Sequence, residues 1–229
     1  MQYLRLLNEA YLRAKNVNPP YPGLKYKIEG GKEFWEGPLS FVARFDSVRV
    51  KDTFKICIEL SPEPGEFPLV MENGGRIESL LARGKAKRAV DLHVNPNSTI
   101  CFCPKPEERR RFHGVLDLKR FIQELVIPYF FALHQFEKTE KWIWGQYSHG
   151  HLGIMEYYFD HKSDNDTALL QDCLKAMGFA SGKVMENKVQ LNGHEKCPCG
   201  SGLKFKKCHP MALAGLKAII KDYFNSDQS

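Results

Sequence analysis

This 229-residue sequence lacks three features that would assign it to a broad class at once. It has no apolar run long enough for a bilayer, and residues 1–15 are charged and helix-patterned, unlike a secretory leader. We therefore expect a cytoplasmic protein with reduced thiols and no membrane partner. It also lacks a glycine-rich phosphate loop after a strand, so we expect that it does not use ATP to activate a carboxyl group.

Charge excludes little. The net charge of +6 permits an acidic partner without demanding nucleic acid. The basic residues form three groups: Arg83, Lys85, Lys87 and Arg88; Arg109, Arg110 and Arg111; and Lys204, Lys206 and Lys207. Each group is either a solvated face or a contact for an anionic partner, which would be a polypeptide tail or a nucleic-acid backbone.

Cysteine, in contrast, is concentrated near the end of the chain. Cys197, Cys199, Cys208 and His209 fall within thirteen residues. Thiolates and a neutral imidazole are the ligands that structural Zn²⁺ prefers, and glycines between the two pairs let the chain turn back. We expect these four residues to bind zinc, which would supply the folding energy of a segment too short for its own core. A disulfide, or cysteines used as small apolar residues, is the alternative.

The same run closely resembles the SEC-C motif, a zinc module found at the end of the bacterial preprotein-translocase motor and on many other proteins. The resemblance implies an accessory that docks on a partner or contacts nucleic acid. It does not identify the main activity.

Upstream, the pattern predicts a helix followed by an antiparallel meander. Leu4, Leu7, Tyr11 and Ala14 have helical spacing in the first segment. Alternating residues predict strands over 39–50 and 53–60, with a hairpin connection at 50–52. A further strand is expected over 68–72, ended by residues 73–75.

The second half of the chain is predicted to be helical. One helix begins after Asp117 and should kink or end at Pro128, a second runs from Asp166 towards Gly178, and a third closes the chain around residues 213–223. Cys173 and Cys57 are interpreted as core residues. We therefore divide the chain into a main domain at 1–179, a linker at 180–194 and a zinc module with a terminal helix at 195–229.

Between the meander and the helices lies a less regular segment that contains His93, Asn95 and Cys101. A thiol-transfer site needs an accessible thiolate and a donor that holds the oxyanion formed when an amine attacks a thioester. Cys101 and the amide of Asn95 provide these groups. Pro96 restricts Asn95 to extended backbone, and residues 97–99 stiffen the turn.

The His93-x-Asn95 pattern followed by Ile100-Cys101-Phe102 resembles the active site of ubiquitin-conjugating enzymes. The resemblance implies their α+β fold, with an N-terminal helix, an antiparallel meander and C-terminal helices. It further implies that Cys101 accepts a ubiquitin-like carboxyl terminus as a thioester, that Asn95 supports the oxyanion and that His93 orders the loop. Val94 departs from the pattern, since the family has proline there, and the loop before Cys101 is shorter.

Residues 117–158 are similar to a bacterial branch of this family. The resemblance rests on Pro128-Tyr-Phe, Trp142, His149-Gly150 and the run from Gly153 to Tyr158. Members of that branch belong to antiphage (CBASS) systems and are encoded beside a cGAS-like nucleotidyltransferase. The resemblance implies that the partner is this nucleotidyltransferase, whose carboxyl terminus is ligated to other molecules, including further protein acceptors.

Other interpretations stay open at this point. Cys101 and Cys103 are candidates for a second metal pair with His93 and His113, and Cys103 for a redox partner of Cys101. Asn95 is a candidate cap for its own turn. His149 and His151 are candidates for a general acid/base pair or for ordinary turn residues. The whole chain is also a candidate non-catalytic adaptor that keeps the fold and binds a partner protein or nucleic acid.

Overall fold

The computed structural model describes residues 21–60, 67–111, 118–144, 146–163, 166–179 and 193–226, and these residues form a mixed α+β fold. They divide into two compact units: Met1–Cys103 with Glu108–Gly145, and Pro104–Glu107 with Gln146–Ser229. The predicted N-terminal helix and most of the predicted linker lie outside the described residues.

The first unit contains a four-stranded antiparallel sheet in the order β1-β2-β3-β4. Its strands are β1 (Lys25–Glu29), β2 (Lys32–Phe45), β3 (Val48–Glu59) and β4 (Leu69–Glu72). The last strand ends at the predicted place, before residues 73–75. The meander that the sequence predicts is therefore confirmed, with an additional strand, β1, at its start.

The predicted hairpin at 50–52 is wrong. The turn lies at Asp46 and Ser47, because Phe45 pairs with Val48 and the pairing continues without a break to Phe34 and Glu59. Asp52 interrupts the apolar alternation of β3 and resembles a turn residue, yet it lies on the same face of the strand as the buried Phe54. Partners from distant helices allow it to remain there.

Those partners form an ion-pair cluster that we call the Asp52 network. Arg76 Nη1 lies 2.8 Å from Asp52 Oδ2 and Arg76 Nη2 lies 2.7 Å from Glu137 Oε2, while His134 Nδ1 lies 2.5 Å from the Asp52 carboxylate. Arg83 Nη2 adds a contact of 2.8 Å to Glu137. The network joins β3 to α1 (Arg76–Ala82) and α4 (Ile127–Thr139).

Both carboxylates of the Asp52 network have a lowered pKa. Burial by itself would raise the pKa of each carboxyl, but hydrogen bonds from His134 and Arg76 outweigh this effect at Asp52. Bonds from Arg83 and Arg76 do the same at Glu137. The charged forms are therefore the stable ones in the folded chain.

The remaining helical elements of this region are short. A 3₁₀ turn covers Ala89–Leu92, α2 covers Lys105–Arg111 and α3 covers Leu118–Phe121. The inner face of the sheet packs on α4, where the ring centroids of Phe54 and Phe130 lie 4.4 Å apart. Glu72, which is buried, accepts hydrogen bonds from the backbone of Gly74, Arg76 and Ile77 and so holds the start of α1.

The sequence predicts that Pro128 kinks or ends its helix, and the structure shows that the helix does not end there. From α3 the chain passes through a π-helical stretch, Ile122–Val126, directly into α4, and Pro128 lies in the first turn of α4. Proline is tolerated at that position because its missing N–H would bond within the preceding, already irregular turn. The predicted cap, Asp117, lies outside the described residues.

The second unit is helical, with α5 (His151–His161), α6 (Thr167–Ala176), α7 (Phe205–Cys208) and α8 (Pro210–Ser226). The helix predicted from Asp166 corresponds to α6, and Asp166 caps it by accepting a hydrogen bond from the Leu169 amide. Cys173 is completely buried on its inner face, and Cys57 is buried in β3, so both core predictions are confirmed. The predicted closing helix corresponds to α8.

One close approach shapes this unit. A Cβ built on Gly215 would lie 1.9 Å from the carbonyl oxygen of Met155, so α8 and α5 pack with their backbones nearly in contact. A single core joins α5 and α6 to the region of the terminal cysteines. The predicted division at 179 and 195 stays a prediction, since residues 180–192 lie outside the described residues.

Within the part of the chain that the structure describes, no helix has the length and apolarity needed to cross a membrane.

Candidate functional site

The terminal cysteines lie on a small knuckle made of a turn and α7. Lys196 pairs with Lys204 in an antiparallel bridge, and the Cys197 amide donates to the Leu203 carbonyl at 2.7 Å. Gly200 and Gly202 both have positive φ, 80° and 76°, which lets the intervening chain reverse. This local structure brings Cys197 and Cys199 back against the end of α7.

The four predicted ligands meet there. Their ligand atoms all lie within 4.8 Å of one another, with Cys197 Sγ 3.1 Å from His209 Nδ1 and Cys199 Sγ 3.6 Å from Cys208 Sγ. A tetrahedral centre with metal–sulfur bonds of about 2.3 Å places its ligand atoms roughly 3.5–4 Å apart. The cluster can therefore hold a metal ion. Its three thiols and one imidazole are the kinds of ligand that a tetrahedral structural metal site uses.

The thiols of this cluster differ in acidity. The pKa of Cys199 is lowered to about 6, first by a hydrogen bond with the Ser201 side chain. Burial raises the pKa of Cys197 to about 11. Cys199 is thus more readily a thiolate at neutral pH than Cys197, and the thiolate is the form in which cysteine binds metal.

The knuckle is built into the helical core of the second unit. Phe205, between the two ligand pairs, is fully buried, and Cys197 is 4% exposed. Both belong to the apolar cluster that also contains Tyr157 of α5 and Leu216 of α8. The sequence predicts that this segment is too short to form a core of its own, and the structure agrees. The segment instead shares the apolar core of the neighbouring helices, in addition to having the four candidate metal ligands.

Residues 195–209 match the family model of the SEC-C motif. Neither a curated protein nor a solved structure matches the chain. The knuckle is thus a SEC-C motif with a cluster of ligands that can bind a metal.

The predicted Cys101 site lies on a hydrogen-bonded loop of the first unit, which we call the cysteine loop (residues 91–103). The Cys101 amide donates to the His93 carbonyl at 2.8 Å, and the Asn95 amide donates to the Thr99 carbonyl at 2.8 Å. Val94 and Ile100 form an antiparallel bridge. The Ile100 amide also donates to Val70 of β4 at 2.7 Å, so the sheet holds the loop in place.

Cys101 itself is half-buried, as is Cys103. The thiol of Cys101 lies 3.7 Å from the Cys103 carbonyl oxygen, a distance at which sulfur is a weak donor. Phe102, between them, turns its ring edge-on to Phe121 and Tyr129. The residue between the two cysteines therefore anchors the loop to the core, while Cys101 as a whole residue remains partly exposed.

The Asn95 side chain closes its own turn. Its amide nitrogen donates to Thr99 Oγ1 at 3.1 Å, and that hydroxyl donates to Asn97 Oδ1 at 2.7 Å. This is the capping role that the sequence left open. The role of Asn95 toward an oxyanion at Cys101 stays a prediction.

His93 has a structural position of its own. Its φ is +55°, in the left-handed region, and its ring packs edge-on to Trp142 with centroids 4.8 Å apart. In the sequence, Tyr129 and Trp142 enter only through the family resemblance, which gives neither a role at the site. Tyr129 Oη donates to the Leu92 carbonyl at 2.8 Å and Trp142 Nε1 to the Asp91 carbonyl at 3.1 Å.

The structure brings no second metal site together within the described residues. There, the only group of three or more metal-binding side chains is the terminal one, and His113 lies outside the described ranges. His149 and His151 are both exposed beside Gly150 at the start of α5. A catalytic role for these two histidines stays a prediction.

The three basic groups differ in what they contact. Arg83 pairs with Glu137, Lys85 with Glu140 and Arg88 with Asp91, so that group is largely engaged within the chain. Lys204, Lys206 and Lys207 are exposed on the knuckle. The side chains of Arg109 and Arg111 lie outside the described residues. A contact with an anionic partner therefore suits the knuckle better than the region of residues 83–88.

Proposed function

We propose that this chain is a ubiquitin-conjugating-like transferase whose Cys101 carries the carboxyl terminus of a partner protein as a thioester. The observation that supports this best is the position of Cys101. This half-buried residue lies on a hydrogen-bonded loop tied to the last strand of a four-stranded antiparallel meander. The sequence pattern from His93 to Phe102, described above, adds the family resemblance.

The chemistry needs no redox partner. The Cys101 thiolate attacks the carbonyl carbon of an activated acyl donor, such as a thioester on another protein. A carbon–sulfur bond forms at Cys101, and the donor's sulfur leaves with the electron pair and takes up the proton that Cys101 lost. An acceptor amine then attacks the new thioester, the carbon–nitrogen bond forms, and Cys101 regains a proton as its bond to carbon breaks.

Asn95 would act at the tetrahedral stage of each transfer. One N–H of its side-chain amide bonds Thr99 Oγ1, and the second N–H of the same group is the one that would donate to the substrate oxygen. Loss of such a donor costs about 3–4 kcal/mol of barrier, roughly a hundredfold or more in rate. His93 would order the backbone from which the Cys101 amide is held.

By the family resemblance, the acyl donor is the carboxyl terminus of a cGAS-like nucleotidyltransferase and the acceptors include further proteins, within antiphage defence. The donor must arrive activated, since the sequence has no phosphate loop of the kind that uses ATP.

The metal of the knuckle is, in this proposal, a structural Zn²⁺ held by Cys197, Cys199, Cys208 and His209. When bound, zinc supplies folding energy to the segment that carries its ligands. Because Cys197 and Phe205 are buried in the apolar core of the second unit, zinc binding would also stabilise its helices.

A peptide that ends in a glycine thioester of mercaptoethanesulfonate tests the Cys101 proposal. We expect the full chain to gain the mass of the peptidyl group and to lose it in neutral hydroxylamine. Cys103→Ser should give the same labile adduct, because it keeps Cys101 and changes a thiol of similar exposure. Cys101→Ser should give no adduct or a hydroxylamine-resistant oxyester. Labile adducts that persist in Cys101→Ser would refute the assignment.

A non-catalytic adaptor is the second candidate, and one observation favours it. The Asn95 amide is engaged by Thr99 within its own turn, as in a loop that only needs to be stable. In an adaptor, the exposed lysines of the knuckle would contact a partner protein or nucleic acid. Affinity for single-stranded nucleic acid that falls steeply with salt, without any thioester, would favour this candidate. The transferase predicts that Cys101 is alkylated much faster than the fully buried Cys173.

A further inference from the structure

Two hydrogen bonds from side chains to backbone carbonyls hold the cysteine loop, and neither the sequence pattern nor the proposed chemistry accounts for them. Tyr129 Oη donates to the Leu92 carbonyl at 2.8 Å and Trp142 Nε1 donates to the Asp91 carbonyl at 3.1 Å. Both carbonyls belong to the last two residues of the 3₁₀ turn. The donors come from two different segments, α4 and the stretch that follows it.

These two bonds are important because they fix the backbone just before His93, which contacts Cys101. His93 follows directly, with a left-handed φ of +55°, and its carbonyl accepts the Cys101 amide at 2.8 Å. A non-glycine residue in this region persists only where its surroundings fix it. Trp142 contributes here a second time, because its ring meets the His93 ring edge-on at 4.8 Å. The path from the two donors to Cys101 is therefore three residues of fixed backbone and one hydrogen bond.

Tyr129 also contacts Phe102, the residue that follows Cys101. Its ring packs edge-on to Phe102 with centroids 5.9 Å apart, and it lies at 6.0 Å from the Trp142 ring. Burial raises the pKa of Tyr129, and the charges of Glu72 and Cys101 raise it further. The hydroxyl is therefore protonated at physiological pH and can donate its hydrogen bond. It bonds Leu92, before Cys101, while the ring of the same side chain packs on Phe102, after Cys101.

We infer that Tyr129 and Trp142 are positioning residues for Cys101, which fix the loop backbone through Leu92, Asp91 and His93. The inference rests on the proposed transferase function for its kinetic consequence, although the backbone arrangement itself does not. Loss of the phenolic donor to the buried Leu92 carbonyl, or of the indole donor to the part-buried Asp91 carbonyl, removes a bond that fixes the backbone just before the residue with the left-handed φ.

The experiment compares four full-length variants in two measurements. Tyr129→Phe and Trp142→Phe remove the two donors. Tyr158→Phe is the matched control for the tyrosine, since Tyr158 is also buried and donates to Asp222 at 2.8 Å in the other unit. Trp144→Phe is the control for the tryptophan, since its ring packs on Phe45 and Phe131 rather than on the loop.

The first measurement, hydrogen exchange of the Cys101 amide by NMR, does not depend on activity. We expect exchange to accelerate about tenfold or more in Tyr129→Phe and Trp142→Phe and to stay within about twofold in both controls. Equal exchange in all four variants would overturn the inference. Should Tyr129→Phe fail to fold, Trp142→Phe alone decides the question.

The second measurement is single-turnover transfer from the glycine peptide thioester to Cys101. We expect the maximal rate to fall about tenfold or more in both loop variants, with the half-saturating donor concentration within about twofold of the unmodified chain. A purely structural role would leave the maximal rate of the folded fraction unchanged, and that result would overturn the inference. If the unmodified chain forms no adduct, the proposed function fails instead, and amide exchange still decides the positioning role.

Discussion

Phe205 provides the sharpest test of how the knuckle is stabilised. It lies between the two pairs of predicted ligands, is fully buried, and shares its core with α5, α6 and α8. Its amide donates to the Glu195 carbonyl at 2.8 Å and its carbonyl accepts from the His209 amide at 2.9 Å. If the knuckle and the helices form one cooperative structure, removal of this ring should destabilise all of them.

The expected magnitude follows from the burial. A fully buried phenylalanine replaced by alanine costs about 3–5 kcal/mol, and a domain has only about 5–15 kcal/mol of total stability. We therefore expect Phe205→Ala to remove a large part of the stability of the second unit. Phe159→Ala is the matched control on α5, because Phe159 is 42% exposed and its loss should cost about 1 kcal/mol.

Hydrogen exchange by mass spectrometry, at a series of urea concentrations and with metal present, resolves where stability is lost. We expect peptides from α5, α6 and α8 to open together with the knuckle in Phe205→Ala, at a lower urea concentration than in Phe159→Ala. Protection of α5 that stays unchanged while residues 193–209 lose theirs would refute the reasoning. In that case the knuckle would be an independent appendage.

Three further predictions follow from particular contacts. Removal of the bound metal by a chelator should release about one ion per chain, which elemental analysis will measure. It should also lower the protection of both α5 and the knuckle from hydrogen exchange. Unchanged protection of α5 would contradict the shared core. Gly215→Ala should destabilise the second unit by about 1–3 kcal/mol or more, because its Cβ would lie 1.9 Å from the Met155 carbonyl oxygen, whereas Lys217→Ala on the exposed face of α8 should change the denaturation midpoint little. The lowered pKa of Asp52 means that the Asp52 network stabilises the fold above the unfolded-state pKa of about 4 and that this stability is lost as pH falls through the folded-state pKa. Asp52→Asn should therefore cost about 1–2 kcal/mol at neutral pH and reduce the acid sensitivity of unfolding, and equal pH profiles would contradict the network.

Local patterns were sufficient wherever the physical cause is local. The alternation of β2 and β3, the start of α6 after Asp166 and the spacing of the four terminal ligands all depend on neighbours in the sequence, and the structure has each of them. Ligand spacing is especially informative because the four residues must reach one point from a single turn and one short helix.

The errors occurred where distant residues decide the outcome. Asp52 resembles a turn residue until Arg76 and His134 are known to meet it on the inner face of the sheet. Pro128 resembles a helix end because no local pattern marks the π-helical stretch that precedes it. The roles of Tyr129 and Trp142 depend on backbone carbonyls, which carry no sequence signal of their own.

The shared core also changes how the SEC-C motif is understood in this chain. A knuckle that is held only by metal would leave the preceding helices unaffected when the metal is removed. Here a buried candidate ligand, Cys197, and a buried aromatic residue, Phe205, connect the Cys/His cluster to α5 and α8. Metal occupancy is therefore expected to control the stability of the whole second unit.

The central claim is that the Cys101 sulfur forms a thioester with a protein carboxyl terminus. The most direct measurement is the intact mass of the full chain purified after co-expression with a cGAS-like nucleotidyltransferase and an ATP-dependent enzyme that activates its carboxyl terminus. The account predicts a species with the summed mass of both chains less one water, released by neutral hydroxylamine and absent from Cys101→Ser. A species of that mass in Cys101→Ser that hydroxylamine still releases, or no adduct on the unmodified chain from either this partner or the peptide thioester, would contradict it.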